Sequence, residues 1–241
     1  MPQKIAAGNW KMNGTRAALD EARATAAGAP DGVLTLICPP ATLLPLMPAG
    51  LAKGGQACHP AASGAHTGDI AAPMLADAGA THCLAGHSER RQDHGETDAD
   101  VAAQVSAIWS AGLTAILCIG ETLAEREAGR TLDVLFSQLE GSLPEGATAA
   151  NTVIAYEPVW AIGTGKVASP EQVDEVHDAL RGRLIDKLAE GGEIALLYGG
   201  SVKAGNAAEL FALENVNGGL VGGASLTADD FLPIARALAE S

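Results

Sequence analysis

Residues 152–166 read Thr152-Val153-Ile154-Ala155-Tyr156-Glu157-Pro158-Val159-Trp160-Ala161-Ile162-Gly163-Thr164-Gly165-Lys166. The run up to Tyr156 is β-branched, apolar and aromatic without a polar alternation, the pattern of a strand buried on both faces of a parallel sheet. It ends in one carboxylate, Glu157, fixed in place by Pro158. The stretch beyond mixes bulky apolar residues with glycines. An acid at a strand end beside a hinged apolar flap suits proton transfer shielded from water. The alternative is a structural glutamate ahead of a surface turn, and the rest of the chain has to decide.

The same kind of run recurs along the chain. Strands are expected at Ile5–Gly8, Val33–Cys38, Gly55–His59, His82–Ala85, Thr114–Ile119, Thr152–Tyr156, Ile194–Tyr198 and Gly219–Val221. Between them lie helical patterns at Arg16–Ala27, Asp98–Ala111, Thr131–Glu140, Pro170–Glu190, Asn206–Leu213 and Ala228–Ala239. Thr15, Ser169-Pro170-Glu171 and Thr227-Ala228-Asp229 supply start signals for three of these helices. Repeated βα units imply parallel strands joined by right-handed crossovers. Eight of them in 241 residues fit one α/β domain over residues 1–241, a closed (β/α)8 barrel. An open doubly wound sheet is the alternative, and the Gly-x-Gly-x-x-Gly turn that would favour it does not follow the first strand.

Composition narrows the function. Hydrophobic residues make up 47% of the chain and aromatics only 3%, so the core must be built from aliphatic side chains. The formal charge of −14 argues against nucleic acid or an anionic membrane as partner. Any anionic substrate must be caught by local features against that average field. The N-terminal residues run straight into a strand pattern rather than a signal sequence. Prolines 39, 40, 45 and 48 break the most apolar stretch, so no membrane span is expected. Cys38, Cys58, Cys83 and Cys118 form no CxxC pair, and each falls in an apolar run. That usage fits reduced thiols in a cytoplasmic protein.

Barrel enzymes place their chemistry at the carboxyl ends of the strands. Those ends here carry Asn9-Trp10-Lys11, His87-Ser88-Glu89-Arg90-Arg91, Glu157, Gly199-Gly200-Ser201 and Gly222-Gly223-Ala224-Ser225. Each alone has a dull explanation: Asn9 as a turn residue, Lys11 as a solvated lysine, His87 as a cap, the glycine pairs as turns. Together they supply a base, a histidine donor, a cation and consecutive backbone N–H groups suited to a phosphate. That set fits abstraction of a proton next to a carbonyl. A nucleotide P-loop at Gly163-Thr164-Gly165-Lys166 fails, because Trp160 stands where its first glycine belongs and Val167 where Ser or Thr must bind magnesium. A Gly-x-Ser-x-Gly nucleophile is missing, Glu89 sits beside two arginines rather than acting as a second glycosidase acid, and the remaining histidines look scattered. No metal and no cofactor are expected.

The chain resembles the triosephosphate isomerase family over essentially its whole length. The resemblance is carried by Gly8-Asn9-Trp10-Lys11-Met12-Asn13, Gly64-Ala65-His66-Thr67-Gly68-Asp69, Gly86-His87-Ser88-Glu89-Arg90-Arg91, Cys118-Ile119-Gly120-Glu121-Thr122, the Tyr156–Lys166 segment, Tyr198-Gly199-Gly200-Ser201 and Leu220-Val221-Gly222-Gly223-Ala224-Ser225. It implies interconversion of dihydroxyacetone phosphate and D-glyceraldehyde 3-phosphate through an enediolate, in glycolysis and gluconeogenesis. Glu157 would then be the base, His87 a neutral electrophile disfavoured in its charged form by a helix start, Lys11 the cation, and Asn9 its positioner, as the resemblance implies. Gly163, Ser201, Gly222 and Gly223 would hold the phosphate through backbone N–H groups. Glu89 would support from behind, Tyr198 would reach the flap near Ala168, and Ile162 and Leu220 would dry the base and raise its basicity.

The resemblance further implies a homodimer in which Thr67, on the loop after the third strand, approaches the partner's site. Three positions depart from the common pattern: Ala57 for Asn, His66 for Phe and Val167 for Thr. Two other functions stay open, an isomerase of a four-carbon ketose phosphate and a non-catalytic phosphate-binding scaffold.

Overall fold

The computed structural model describes residues 1–162 and 166–241. Its eight strands are β1 (Ile5–Asn9), β2 (Leu34–Cys38), β3 (Ala52–Gly55), β4 (His82–Ala85), β5 (Thr114–Ile119), β6 (Thr152–Tyr156), β7 (Ala195–Tyr198) and β8 (Gly218–Val221). All pair in parallel and in chain order, and the ring closes where Ile5 to Gly8 of β1 meet Gly218 to Val221 of β8. The helices are α1 (Leu19–Gly28), α2 (Ala72–Asp77), α3 (Ser88–His94), α4 (Asp98–Ser110), α5 (Leu123–Glu127), α6 (Thr131–Ser142), α7 (Pro170–Lys187), α8 (Ala204–Phe211) and α9 (Ala228–Ala239). The expected closed barrel is therefore present.

Closure explains why the strands read as unbroken apolar runs. Alternate residues face two separate cores. Ile5, Ala7, Leu36, Leu84, Ile116, Ala155 and Leu197 belong to one small aliphatic cluster. Their strand neighbours, among them Ala6, Ile37, Leu117 and Ile154, join a larger cluster with helix residues such as Val105, Val176, Leu180 and Phe231. With so few aromatics the inner cluster contains none. Among the described residues no helix is long and apolar enough to cross a membrane.

The third strand lies at Ala52–Gly55, not at the expected Gly55–His59. Its sequence, Ala-Lys-Gly-Gly, carries no strand propensity. Packing decides instead: a Cβ on Gly54 would stand 2.4 Å from Cys38 Sγ, and one on Gly55 2.5 Å from Leu75 Cδ1. His59 keeps only a single bridge to Ala71. The first expected helix splits into a 3₁₀ turn at Arg16–Ala18 followed by α1, and the Thr15 side chain makes no capping hydrogen bond. Ser169 and Thr227 do cap α7 and α9, accepting from Gln172 N–H and Asp230 N–H. The short helices α2, α3 and α5 were not expected.

Candidate active site

The strand ends converge on one cavity of about 410 Å³ at the carboxyl end of the barrel. Asn9, Lys11, His87, Glu157, Ile162, Ser201, Leu220, Gly222 and Gly223 all line it. Glu157 follows β6 directly and is 2% exposed. Its backbone N–H bonds to Ile119 O at 2.8 Å, continuing the ladder of β5 for one residue past the strand. The close approach needs two glycines. A Cβ on Gly120 would stand 1.7 Å from Glu157 O, and one on Gly199 2.8 Å from Glu157 Cγ.

The carboxylate is held at both oxygens. Oε1 lies 3.0 Å from His87 Nε2, and Oε2 accepts the Ser88 N–H at 3.1 Å. Burial is the strongest single influence on Glu157 and raises its pKa. His87, the Ser88 N–H and Lys11 together outweigh it and hold the acid below its usual range. The expected rise in basicity is thus not present while Glu157 faces His87. Cys118, buried in the barrel interior near this carboxylate, has its thiol pushed up by burial first and by Glu157 second.

His87 is the N-cap of α3 and accepts the Glu89 N–H at Nδ1, 3.2 Å away. Burial is again the largest influence and lowers its pKa, but the adjacent Glu157 carboxylate raises the sum above the ordinary value. The Nδ1 bond opposes that rise, because an imidazolium cannot accept the N–H. It also fixes the neutral tautomer with its proton on Nε2, facing Glu157 and the cavity. Burial and the Glu89 N–H both favour neutral imidazole.

Lys11 enters from the loop after β1. Its Nζ pairs with Glu89 Oε1 at 2.6 Å, so Glu89 touches the cavity through Lys11 rather than lining it. Asn9 is 5% exposed and its Oδ1 accepts the Lys11 backbone N–H at 3.0 Å. On the far side, Gly222 and Gly223 form the start of a 3₁₀ turn after β8. Trp10 Nε1 donates to Ser225 O at 2.8 Å and ties that turn to the β1 loop. A base, an N–H donor, a cation and glycine-rich backbone thus face a common space.

A family model described as "Triosephosphate isomerase" matches residues 4–238. The curated triosephosphate isomerase of Dinoroseobacter shibae is 62% identical over 246 residues, covering 99% of this chain and 100% of that protein. That of Ruegeria sp. (strain TM1040) is also 62% identical, with both chains fully covered. A crystal structure of triosephosphate isomerase from Bartonella henselae superposes with a TM-score of 0.92 at 51% identity, covering 98% of each chain. The chain belongs to the triosephosphate isomerase family.

Other expected residues of this isomerase fold differently from the main set. Gly163 lies outside the described residues. Tyr198 is fully buried and does not line the cavity; burial pushes its hydroxyl up to about 12, and the Ala168 backbone N–H pulls the other way. Thr67 is exposed on a loop away from the cavity of its own chain. Residues 59 and 66 are not scattered: their imidazole rings stack with centroids 3.9 Å apart, and with Asp69 they offer ligand atoms within 4.8 Å of one another. His59 Nδ1 already accepts the Ala61 N–H, and stacked rings do not aim in-plane lone pairs at one point, so the cluster reads as loop packing.

The residue that sequence reasoning left without a role is Glu121. Its side chain is fully buried and accepts from Tyr156 Oη at 3.2 Å and Trp160 Nε1 at 2.9 Å, while its backbone O accepts the Val159 N–H. Ser201 Oγ adds a bond to Ala161 O at 3.0 Å. Together they anchor the stretch that leaves Glu157. The only signal in the sequence was a glutamate beside Gly120 at the end of an apolar strand.

Proposed function

We propose that Glu157, His87 and Lys11 carry out the isomerisation characteristic of the family. As a family member, the chain interconverts dihydroxyacetone phosphate and D-glyceraldehyde 3-phosphate in glycolysis. In our reading Glu157 takes the proton from one carbon and returns it to the next. His87 Nε2–H donates to the carbonyl oxygen, and the Lys11 ammonium balances the negative charge that grows on the enediolate. Asn9 positions Lys11. The backbone N–H groups of Gly163, Ser201, Gly222 and Gly223 hold the phosphate, and Ile162 and Leu220 keep the acid dry. Glu89 orients Lys11, and Tyr198 steadies the far end of the flap.

The observation that carries this reading is the 3.0 Å approach of Glu157 to His87 Nε2 in the cavity that Lys11 also enters. The reading uses no metal and no cofactor. It extends to gluconeogenesis as the reverse flux through the same equilibrium, and it treats residues 1–241 as one cytoplasmic domain. The test is kcat/KM on three- and four-carbon ketose phosphates. We expect a clear preference for the three-carbon substrate; a preference for the longer one would replace this assignment.

The working unit in this reading is a homodimer. Met12 is 96% exposed beside Lys11, and residues 62–69, including Thr67, are all exposed. A second copy would cover both and bring Thr67 toward its partner's Asn9 and His87. Light scattering is expected to give a dimer; a fully active, monodisperse monomer would overturn this part.

A further inference from the structure

Lys11 is the one non-glycine residue, among those described, with a left-handed backbone, at φ 53°. A side chain in that region costs on the order of 1–3 kcal/mol and persists only where its surroundings enforce it. Glycine would relieve the strain but would remove the ammonium from the cavity. The turn must therefore be held from outside.

Two groups grip it. Asn9 Oδ1 accepts the Lys11 N–H from within the turn. The Lys11 carbonyl is taken by Gln56, whose Nε2 donates to Lys11 O at 2.8 Å and to Cys38 O at 2.9 Å. Gln56 follows β3 directly, and Cys38 closes β2. Trp10 N–H also bonds to Cys38 O, at 3.1 Å. One amide group thus spends both of its protons on tying the ends of β1 and β2 to the end of β3. Its two bonds land on the strained residue and on the carbonyl that anchors the residue before it.

We infer that Gln56 is a positioning residue for the isomerisation: it fixes the strained Lys11 backbone and so aims the ammonium into the cavity. The inference rests on the role proposed above for Lys11. Gln56 does not line the cavity and touches no substrate in this account. Its effect on the reaction passes through the Lys11 backbone that it holds.

The test is a double-mutant cycle on the full-length protein, read as kcat/KM on dihydroxyacetone phosphate. Gln56→Met keeps the side-chain volume and removes both donors. Gln56→Glu keeps the shape and presents acceptors to two carbonyls. Either variant, folded by circular dichroism, is expected to lose about 10- to 100-fold, as a displaced catalytic group does. In a Lys11→Ala background the same changes should cost no more than about twofold, because the group being aimed is gone. An equal loss in both backgrounds, unchanged kcat/KM in both folded variants, or failure of both to fold would each overturn the inference. Full turnover by Lys11→Ala alone would instead remove the Lys11 role beneath it.

Discussion

The two ends of the barrel bury charge in different ways. At the carboxyl end, Glu157 and His87 face each other across 3.0 Å and both border an open cavity. At the amino end, Arg181 of α7 is 7% exposed and points under β7 and β8. Its guanidinium donates to Gly191 O and Ile194 O at 2.7 Å each, to Asn217 Oδ1 at 2.9 Å and to Asn215 Oδ1 at 3.1 Å. No carboxylate is within ion-pair distance of it among the described residues. Burial lowers its pKa from the ordinary arginine value, with Glu193 opposing more weakly. Four neutral acceptors do the work of a counter-ion and fix loops that lead into strands. The difference teaches that buried polarity here takes two forms: saturated and closed where it holds the chain, paired but accessible where it borders the cavity.

Glu157→Gln should break the first arrangement with the largest effect. It keeps the shape and removes the proposed base, so kcat is expected to fall about 10²- to 10⁴-fold with little change in KM. Steady-state assays check this, and near wild-type turnover would sink the assignment of the base. Arg181→Met comes next. It orphans buried carbonyl and amide oxygens, so urea unfolding should show a loss of about 3–5 kcal/mol. Activity per folded molecule should hold. A kcat reduced in the folded fraction would mean that the two ends are not separable.

The smallest effect is in the pH dependence. Glu157 has its pKa lowered in the folded state, so it contributes stability above its ordinary value of 4.5 and loses it as pH falls through the folded value. His87 has its pKa raised above 6.5, so its contribution is complete below that value and is lost as pH rises through the folded one. The pair therefore stabilises most between the two. The stability advantage of wild type over Glu157→Gln should peak in that window and shrink on both sides. A flat difference would show that the pair is not coupled as described.

Much of this was legible in the sequence, for reasons that differ from element to element. Strands such as Thr114–Ile119 and Thr152–Tyr156 announce themselves because burial on both faces demands unbroken apolar runs. The polar groups at their ends could be read together because the barrel puts every carboxyl end on one face. The third strand was missed because close packing there selects glycine, which carries no strand signal. Helices α2, α3 and α5 have 5 to 7 residues, too few for periodicity to show. The lowered pKa of Glu157, the grip of Glu121 on Trp160 and that of Gln56 on Lys11 all depend on contacts between distant residues. No local pattern encodes them.

The most direct test of the contrast between the two ends is the unfolding free energy of Glu157→Gln at neutral pH, measured beside Arg181→Met in the same urea series. The account predicts a loss for Glu157→Gln well below that of Arg181→Met, despite its far larger effect on kcat. An equal or greater loss of stability would contradict it, since the carboxyl-end pair would then be holding the fold as the amino-end arginine does.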